Sequence, residues 1–233
     1  MMKYILILIY ICVSLYADNT QALKAFKNKD YTNAFKLYEQ SAKEGDSIAQ
    51  NALSYLYFNG LGTSQSNEKG IFWLSKAAQN MDARAQYDLA MLYLLGNHVE
   101  QNKELALTWL DSAADLGDAN AQYNLALMYY KGDGVEQNIK KSAELLESAA
   151  LQGNPSAQEN IGLVYMQLLD FDKAIYWLER SAGSGDENAY YLLAEIYCLQ
   201  ENFTKAKVWA KKSKELGNEN AELLWDKYNL EKY

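Results

Sequence analysis

The sequence is poor in the residues that interrupt or staple a fold. A single proline in 233 residues leaves helices free to run, because proline removes a backbone donor and breaks helix interiors. Two cysteines, Cys12 and Cys198, are too few for a disulfide framework, and no Cys/His spacing suits a transition metal. One histidine, His98, leaves little material for general acid–base chemistry. No alternating apolar–polar stretch signals strands. No long basic run offsets the net charge of -8, so nucleic acid and anionic lipid are not expected partners.

What is present begins with a leader. Met1 to Lys3 carry one positive charge, Tyr4 to Tyr16 are almost wholly apolar, and Ala17 precedes the polar pair Asp18-Asn19. That order reads as a signal peptide over residues 1–17, cleaved after Ala17. The apolar stretch is shorter than the roughly 20 residues that cross a bilayer, so no membrane span is expected after cleavage. The chain is expected to be exported, to the periplasm or beyond. Cys12 follows Ile9-Tyr10-Ile11 rather than small residues, which does not fit a lipid anchor. Cys198 is then left without an intramolecular partner, and on an apolar helix it reads as a small packed hydrophobe.

The rest of the chain is organised by repetition. Ala121-Gln122 recurs as Ala49-Gln50, Ala85-Gln86 and Ala157-Gln158, then as Ala189-Tyr190 and Ala221-Glu222, in steps of 36, 36, 36, 32 and 32 residues. Such a period belongs to a stacked repeat array. The expected organisation is an N-terminal helical capping unit (18–44), a repeat array (45–217) and a C-terminal capping helix (218–233). The expected fold is all-α, an α-solenoid superhelix of antiparallel helix pairs, and the expected state is a monomer.

Two slots in each repeat hold short oxygen-bearing side chains that can cap a helix by accepting a bond from a first-turn N–H. Asp46, Asp82, Asp118, Asn154, Asp186 and Asn218 precede the first helices; Asp30, Ser66, Asn102, Asn138, Asp170 and Asn202 precede the second. Pro155 falls at a first helical position, where it is tolerated. In the first helix, Leu53, Leu89, Leu125, Ile161 and Leu193 are expected in the core. Small residues follow them, and Tyr57, Tyr93, Tyr129, Tyr165 and Tyr197 complete the stripe. In the second helix a shared slot holds Leu37, Trp73, Trp109, Leu145, Trp177 and Trp209, which reads as a core position. Gly60, Gly96 and Gly132 suit left-handed helix ends. The last two repeats delete four residues between their helices.

The pattern A-x-x-G-D-x-x-A-Q-x-x-L-A-x-x-Y, then G-D-G-V, then a Lys-rich helix, over Ala114 to Ala150 and less completely in four other copies, resembles Sel1-like repeats. These are relatives of the tetratricopeptide repeat. The resemblance implies a right-handed superhelix that serves as an interaction platform, and exported bacterial members are often adaptors. One cysteine-rich branch has members described as penicillin-binding or as β-lactamases, but no repeat here contains a cysteine pair.

A catalytic reading finds little support in the residues. His98 occupies the place of Gly62 and Gly134 in a long turn and reads as a loop residue. Ser66 and Lys69 match a Ser-x-x-Lys spacing, yet no Ser-Asp-Asn or Lys-Thr-Gly accompanies it, and Ser66 stands in a capping slot. A β-lactam hydrolase is therefore the alternative, and glycan binding a weaker one. No catalytic residue, metal or cofactor is expected. The favoured reading is a non-catalytic scaffold that binds a peptide or protein segment. Its groove would be formed by Tyr55, Phe58, Tyr87, Met91, Tyr123, Leu127, Tyr130, Leu163 and Tyr191, on an inner face whose remaining positions are Asn51, Leu94, Glu159, Met166, Glu195 and Cys198. A contiguous apolar strip of this kind on a soluble surface implies a use.

Overall fold

The structure, a computed structural model, describes residues 19–233. The leader expected at 1–17 lies outside the described residues. Among the described residues every regular element is helical. The order is α1 (19–27), α2 (Tyr31–Lys43), α3 (Ser47–Asn59), α4 (Asn67–Gln79), α5 (Ala83–Leu95), α6 (Lys103–Asp115) and α7 (Ala119–Lys131). There follow α8 (Ile139–Leu151), α9 (Pro155–Gln167), α10 (Phe171–Gly183), α11 (Glu187–Leu199), α12 (Phe203–Glu215), α13 (Glu219–Tyr228) and a 3-10 turn, Leu230–Lys232. The described residues divide into two compact units, one ending at Ala121 and the other running from Gln122 to Tyr233. In the first, α2, α3, α4, α5 and α6 pack in succession; in the second, α8 to α13 do so. This is an α-solenoid of stacked helix pairs.

The caps form as the sequence requires. Asp46, Asp82, Asp118, Asn154 and Asn218 accept from the backbone N–H three residues on, at 2.7 to 3.1 Å. The six second-helix caps do the same at 2.9 to 3.3 Å. Each such bond stabilises its helix by about 1 kcal/mol. Asp186 differs: its Oδ1 accepts from Asn188 N, and its Oδ2 accepts from the Ser181 hydroxyl at 2.7 Å.

The Ala-Gln signature is a clip. The amide groups of Gln50, Gln86 and Gln158 donate to the carbonyls of Ala42, Ala78 and Ala150, each eight residues back and at 3.0 Å. They thereby give a second donor to a carbonyl of the preceding helix's last turn that already accepts the backbone N–H of Gly45, Met81 or Gly153, and so fasten one helix to the next. Where the signature weakens, the attachment survives by other chemistry. The Tyr190 hydroxyl reaches Ala182 O at 3.5 Å. A carboxylate cannot donate to a carbonyl, and Glu222 instead pairs with the Lys214 ammonium at 3.2 Å.

The Lys-rich start of the second helices also has a packing cause. Lys69, Lys141, Lys173 and Lys205 lie over the rings of Tyr57, Tyr129, Tyr165 and Tyr197, at 4.4 to 5.4 Å. The cation faces the negative face of the ring while its methylene stem covers apolar surface. The four-residue deletion leaves the anchor of the turn intact. Ser66 N and Asn138 N donate to Tyr57 O and Tyr129 O in the long turns, and Asp170 N and Asn202 N donate to Tyr165 O and Tyr197 O in the short ones.

The core aliphatics Leu53, Leu89, Leu125, Ile161 and Leu193 are buried, as expected. The tryptophan slot is a correction. Only Trp177 is buried there, at 1% exposure, whereas Trp73, Trp109 and Trp209 are half-buried. The fully inward position is the next residue: Tyr38, Leu74, Leu110, Leu146, Leu178 and Ala210. That residue stands four after the small slot and so shares its face, whereas the tryptophan, three after it, falls on the edge of the stripe. From that edge Trp73 packs on the core of α1–α3, and Trp109 on the cluster around Leu74 and Leu89.

Candidate partner-binding surface

In the first unit, Tyr55 and Phe58 of α3 meet Met91 of α5 around a pocket of about 370 Å³, completed by Asn51, Ser54, Leu74, Arg84, Asp88 and Leu92. Tyr55 is 52% exposed, with its ring edge-on to Phe26 at 6.0 Å. Phe58 serves packing as well as the pocket. Its ring lies where a Cβ on Gly70 would come within 2.7 Å, and it stacks on the His98 ring at 5.5 Å. His98 thus lies against an aromatic ring in the long turn, with φ of 63°.

Arg84 and Asp88 are paired one helical turn apart, Nε to Oδ1 at 3.0 Å. Burial pushes the Asp88 carboxyl above its ordinary value, with Asp118 and Asp82 adding to the push while Arg84 opposes it. Asn51 donates to Asp82 at 3.3 Å and ties α3 to the start of α5. Tyr87, half-buried on α5, carries the Arg84 guanidinium over its ring at 5.2 Å.

In the second unit, Leu163 of α9 and Tyr191 of α11 line a pocket of about 480 Å³ with Glu159, Asn160, Asp186, Asn188 and Leu192. Leu163 is 45% exposed. Burial first, and then the nearby Glu195 carboxylate that accepts the Tyr191 hydroxyl at 3.4 Å, raise the Tyr191 phenol. Tyr123, Leu127 and Tyr130 are half-buried on α7 and line neither pocket. Cys198 is a correction to the inner-face positions, though it agrees with the reading of a small packed hydrophobe: it is 2% exposed, and burial pushes its thiol up to about 11. It fills core space and does not line the face.

Of the polar members of the first pocket, Asn51 falls on the inner face by repeat register, whereas Arg84 and Asp88 were not singled out by the repeat pattern. The usable signal was local: an Arg and an Asp four apart are helix-surface neighbours, and the chain has one other arginine, Arg180. Ser66 and Lys69 have structural occupations. The Ser66 Oγ accepts from Lys69 N at 3.3 Å, and the Lys69 ammonium lies over Tyr57 at 5.4 Å. Among the described residues, no helix is long and apolar enough to cross a membrane.

Stacked helix pairs with pockets between successive first helices define the class of repeat scaffolds, which generally act in protein–protein interaction. The chain belongs to the Sel1 repeat family. Its model matches residues 25–46, 47–80, 83–118, 119–154, 155–186 and 188–218. Among solved structures, a Sel1 repeat protein from Oxalobacter formigenes is similar at 24% identity and a TM-score of 0.65, over 87% of this chain and 86% of that one. A protective antigen present in uropathogenic Escherichia coli strains, displaying an SLR fold, is similar at 26% identity and a TM-score of 0.65. The similarity takes in 89% of this chain but spans 47% of the antigen. YrrB, a TPR protein with an unusual peptide-binding site, is similar at 18% identity and a TM-score of 0.52, over 77% of this chain and 92% of that one. No curated protein matches the chain.

Proposed function

We propose that the protein is an exported, non-catalytic scaffold that holds a peptide or protein segment against the pocketed faces of its first helices. The observation that carries this reading is the pair of pockets with Tyr55, Phe58 and Met91 in one and Leu163 and Tyr191 in the other. The first is lined mainly by apolar surface with Asn51, Arg84 and Asp88 beside it, and the second adds Glu159, Asn160, Asp186 and Asn188 to Leu163, Tyr191 and Leu192; apolar anchors with a few polar groups can accept a side chain and orient a backbone. Burying one large apolar side chain supplies about 1.5 to 3 kcal/mol, against about 4 to 15 kcal/mol for association. Several anchors must therefore act together, and single-pocket affinity is modest. YrrB, with its peptide-binding site, is consistent in kind. Export rests on the apolar leader in residues 1–17.

The test combines fractionation with in-compartment cross-linking. The protein is expected in the periplasmic or secreted fraction, with partners that are lost on Tyr55→Ala with Leu163→Ala. Both side chains are substantially exposed, so folding should survive their removal. Partners retained at unchanged yield by the double variant would sink the groove reading. Retention of the whole protein in the cytoplasm would sink the export reading.

A further inference from the structure

The last of the second helices, α12, departs from every other second helix in charge. Its sequence, FTKAKVWAKKSKE, holds five lysines and one glutamate. Lys207, Lys211 and Lys214 recur at helical spacing on one face, an arrangement in which like charges repel and which costs helix stability. In the preceding repeat the corresponding residues are Ile175, Glu179 and Ala182. There Glu179 accepts from Tyr197 at 3.4 Å, and Ala182 is buried. The chain neutralises the α12 charges only in part. Among the described residues Lys205, Lys207 and Lys212 have no carboxylate within ion-pair distance, and Lys211 reaches Glu215 only at 3.9 Å with both side chains exposed. Lys214 alone has a close partner, Glu222.

Beside this stripe stands Trp225 of α13, in the register position that holds Leu193 one repeat earlier. Leu193 is fully buried, but Trp225 is half-exposed. The ammonium groups of Lys207 and Lys214 lie 5.7 and 5.6 Å from its ring. Lys207, Lys211, Lys214 and Trp225 line a pocket of about 550 Å³ together with Glu215 and Glu231. Lys207 is steered there by the Glu231 carbonyl, which accepts from it at 2.9 Å.

We infer that this face is a second docking surface, distinct from the first-helix pockets, for an acidic protein segment whose apolar side chain covers Trp225. Charge complementarity selects an acidic occupant, because Lys207, with no carboxylate in reach, and Lys211, with only a long exposed contact to Glu215, gain from carboxylates brought next to a partly desolvating ring. The concavity favours a short chain segment over a flat anionic bilayer.

The test measures binding of a labelled Glu-Glu-Phe-Glu-Glu peptide to the full chain by fluorescence anisotropy, beside a Gln-Gln-Phe-Gln-Gln control and phosphatidylserine vesicles. The acidic peptide is expected to bind, to weaken as salt is raised, and to lose affinity about tenfold or more in the Lys207→Glu, Lys211→Glu variant. Trp225→Leu, which restores the residue type of the other repeats, should weaken it without unfolding, as checked by circular dichroism. Tyr55→Ala with Leu163→Ala should leave it unchanged, which separates this surface from the groove. Equal binding of the two peptides, unchanged affinity in the charge-reversed variant, tighter binding to the vesicles, or no binding would each overturn the inference.

Discussion

The Oε1 atom of Gln86 is buried without a hydrogen-bond partner because Leu116 stands where the neighbouring repeats place an amide. Asn80 donates to the Gln50 Oε1 at 2.9 Å, and Gln152 donates to the Gln122 Oε1 at 2.8 Å, each across thirty positions of sequence. Leu116 occupies the same offset from Gln86 and has no donor to offer. Leaving a buried acceptor unmet costs about 1 to 3 kcal/mol. Leu116 is 39% exposed, so replacing it gives up little apolar burial. Leu116→Gln is expected to stabilise the protein by about 1 kcal/mol, read as a higher urea midpoint at unchanged slope. A lower midpoint would show that the clip is not limited by this atom.

Met81 occupies a turn position held by Gly45, Gly117, Gly153, Gly185 and Gly217 in the other repeats, and its φ is 62°. A side chain in the left-handed region costs about 1 to 2 kcal/mol, partly offset by the extra chain entropy that glycine loses on folding. Met81 is 68% exposed and contributes little packing. Met81→Gly should raise the thermal midpoint, by about 0.5 kcal/mol of stability. Calorimetry of the two proteins decides it.

Asp88 carries a pH dependence of definite sign. Its carboxyl is raised above the ordinary 3.8 by burial, so the folded chain holds this proton more tightly than the unfolded one. Its ionisation therefore costs stability as pH rises through the folded value, and the cost is absent below the unfolded value. Asp88→Asn, the residue type found at Asn124 and Asn160, should be more stable than the parent at neutral pH. The difference should vanish in acid below the ordinary carboxylate range. Denaturant titrations at the two pH values measure this directly; an equal difference at both would refute it.

Cys198, buried and with its thiol raised to about 11 by burial, should resist alkylation in the native state. The reactive species is the thiolate. Mass spectrometry after iodoacetamide treatment should show it unmodified until denaturant is added. Rapid native labelling would place the thiol on the surface.

The repeats by themselves determined the helices, their caps and the aliphatic core. A cap such as Asp82 acts on Ala85, and Gly96 ends α5 in a left-handed turn; both are local events fixed by residue type within a few positions. Leu89 and Ala90 announced their burial by helical spacing alone. What only the tertiary structure decided depends on neighbours far apart in sequence. It left Trp109 half-buried at the edge of the stripe while Leu110 is covered. It withdrew Cys198 from the groove face, brought Tyr55 and Met91 into one pocket, and showed Gln50 and Gln86 to be clips on the preceding helix. Arg84 and Asp88, which fall outside the repeat pattern, gained meaning only when α3 and α5 were seen to enclose them.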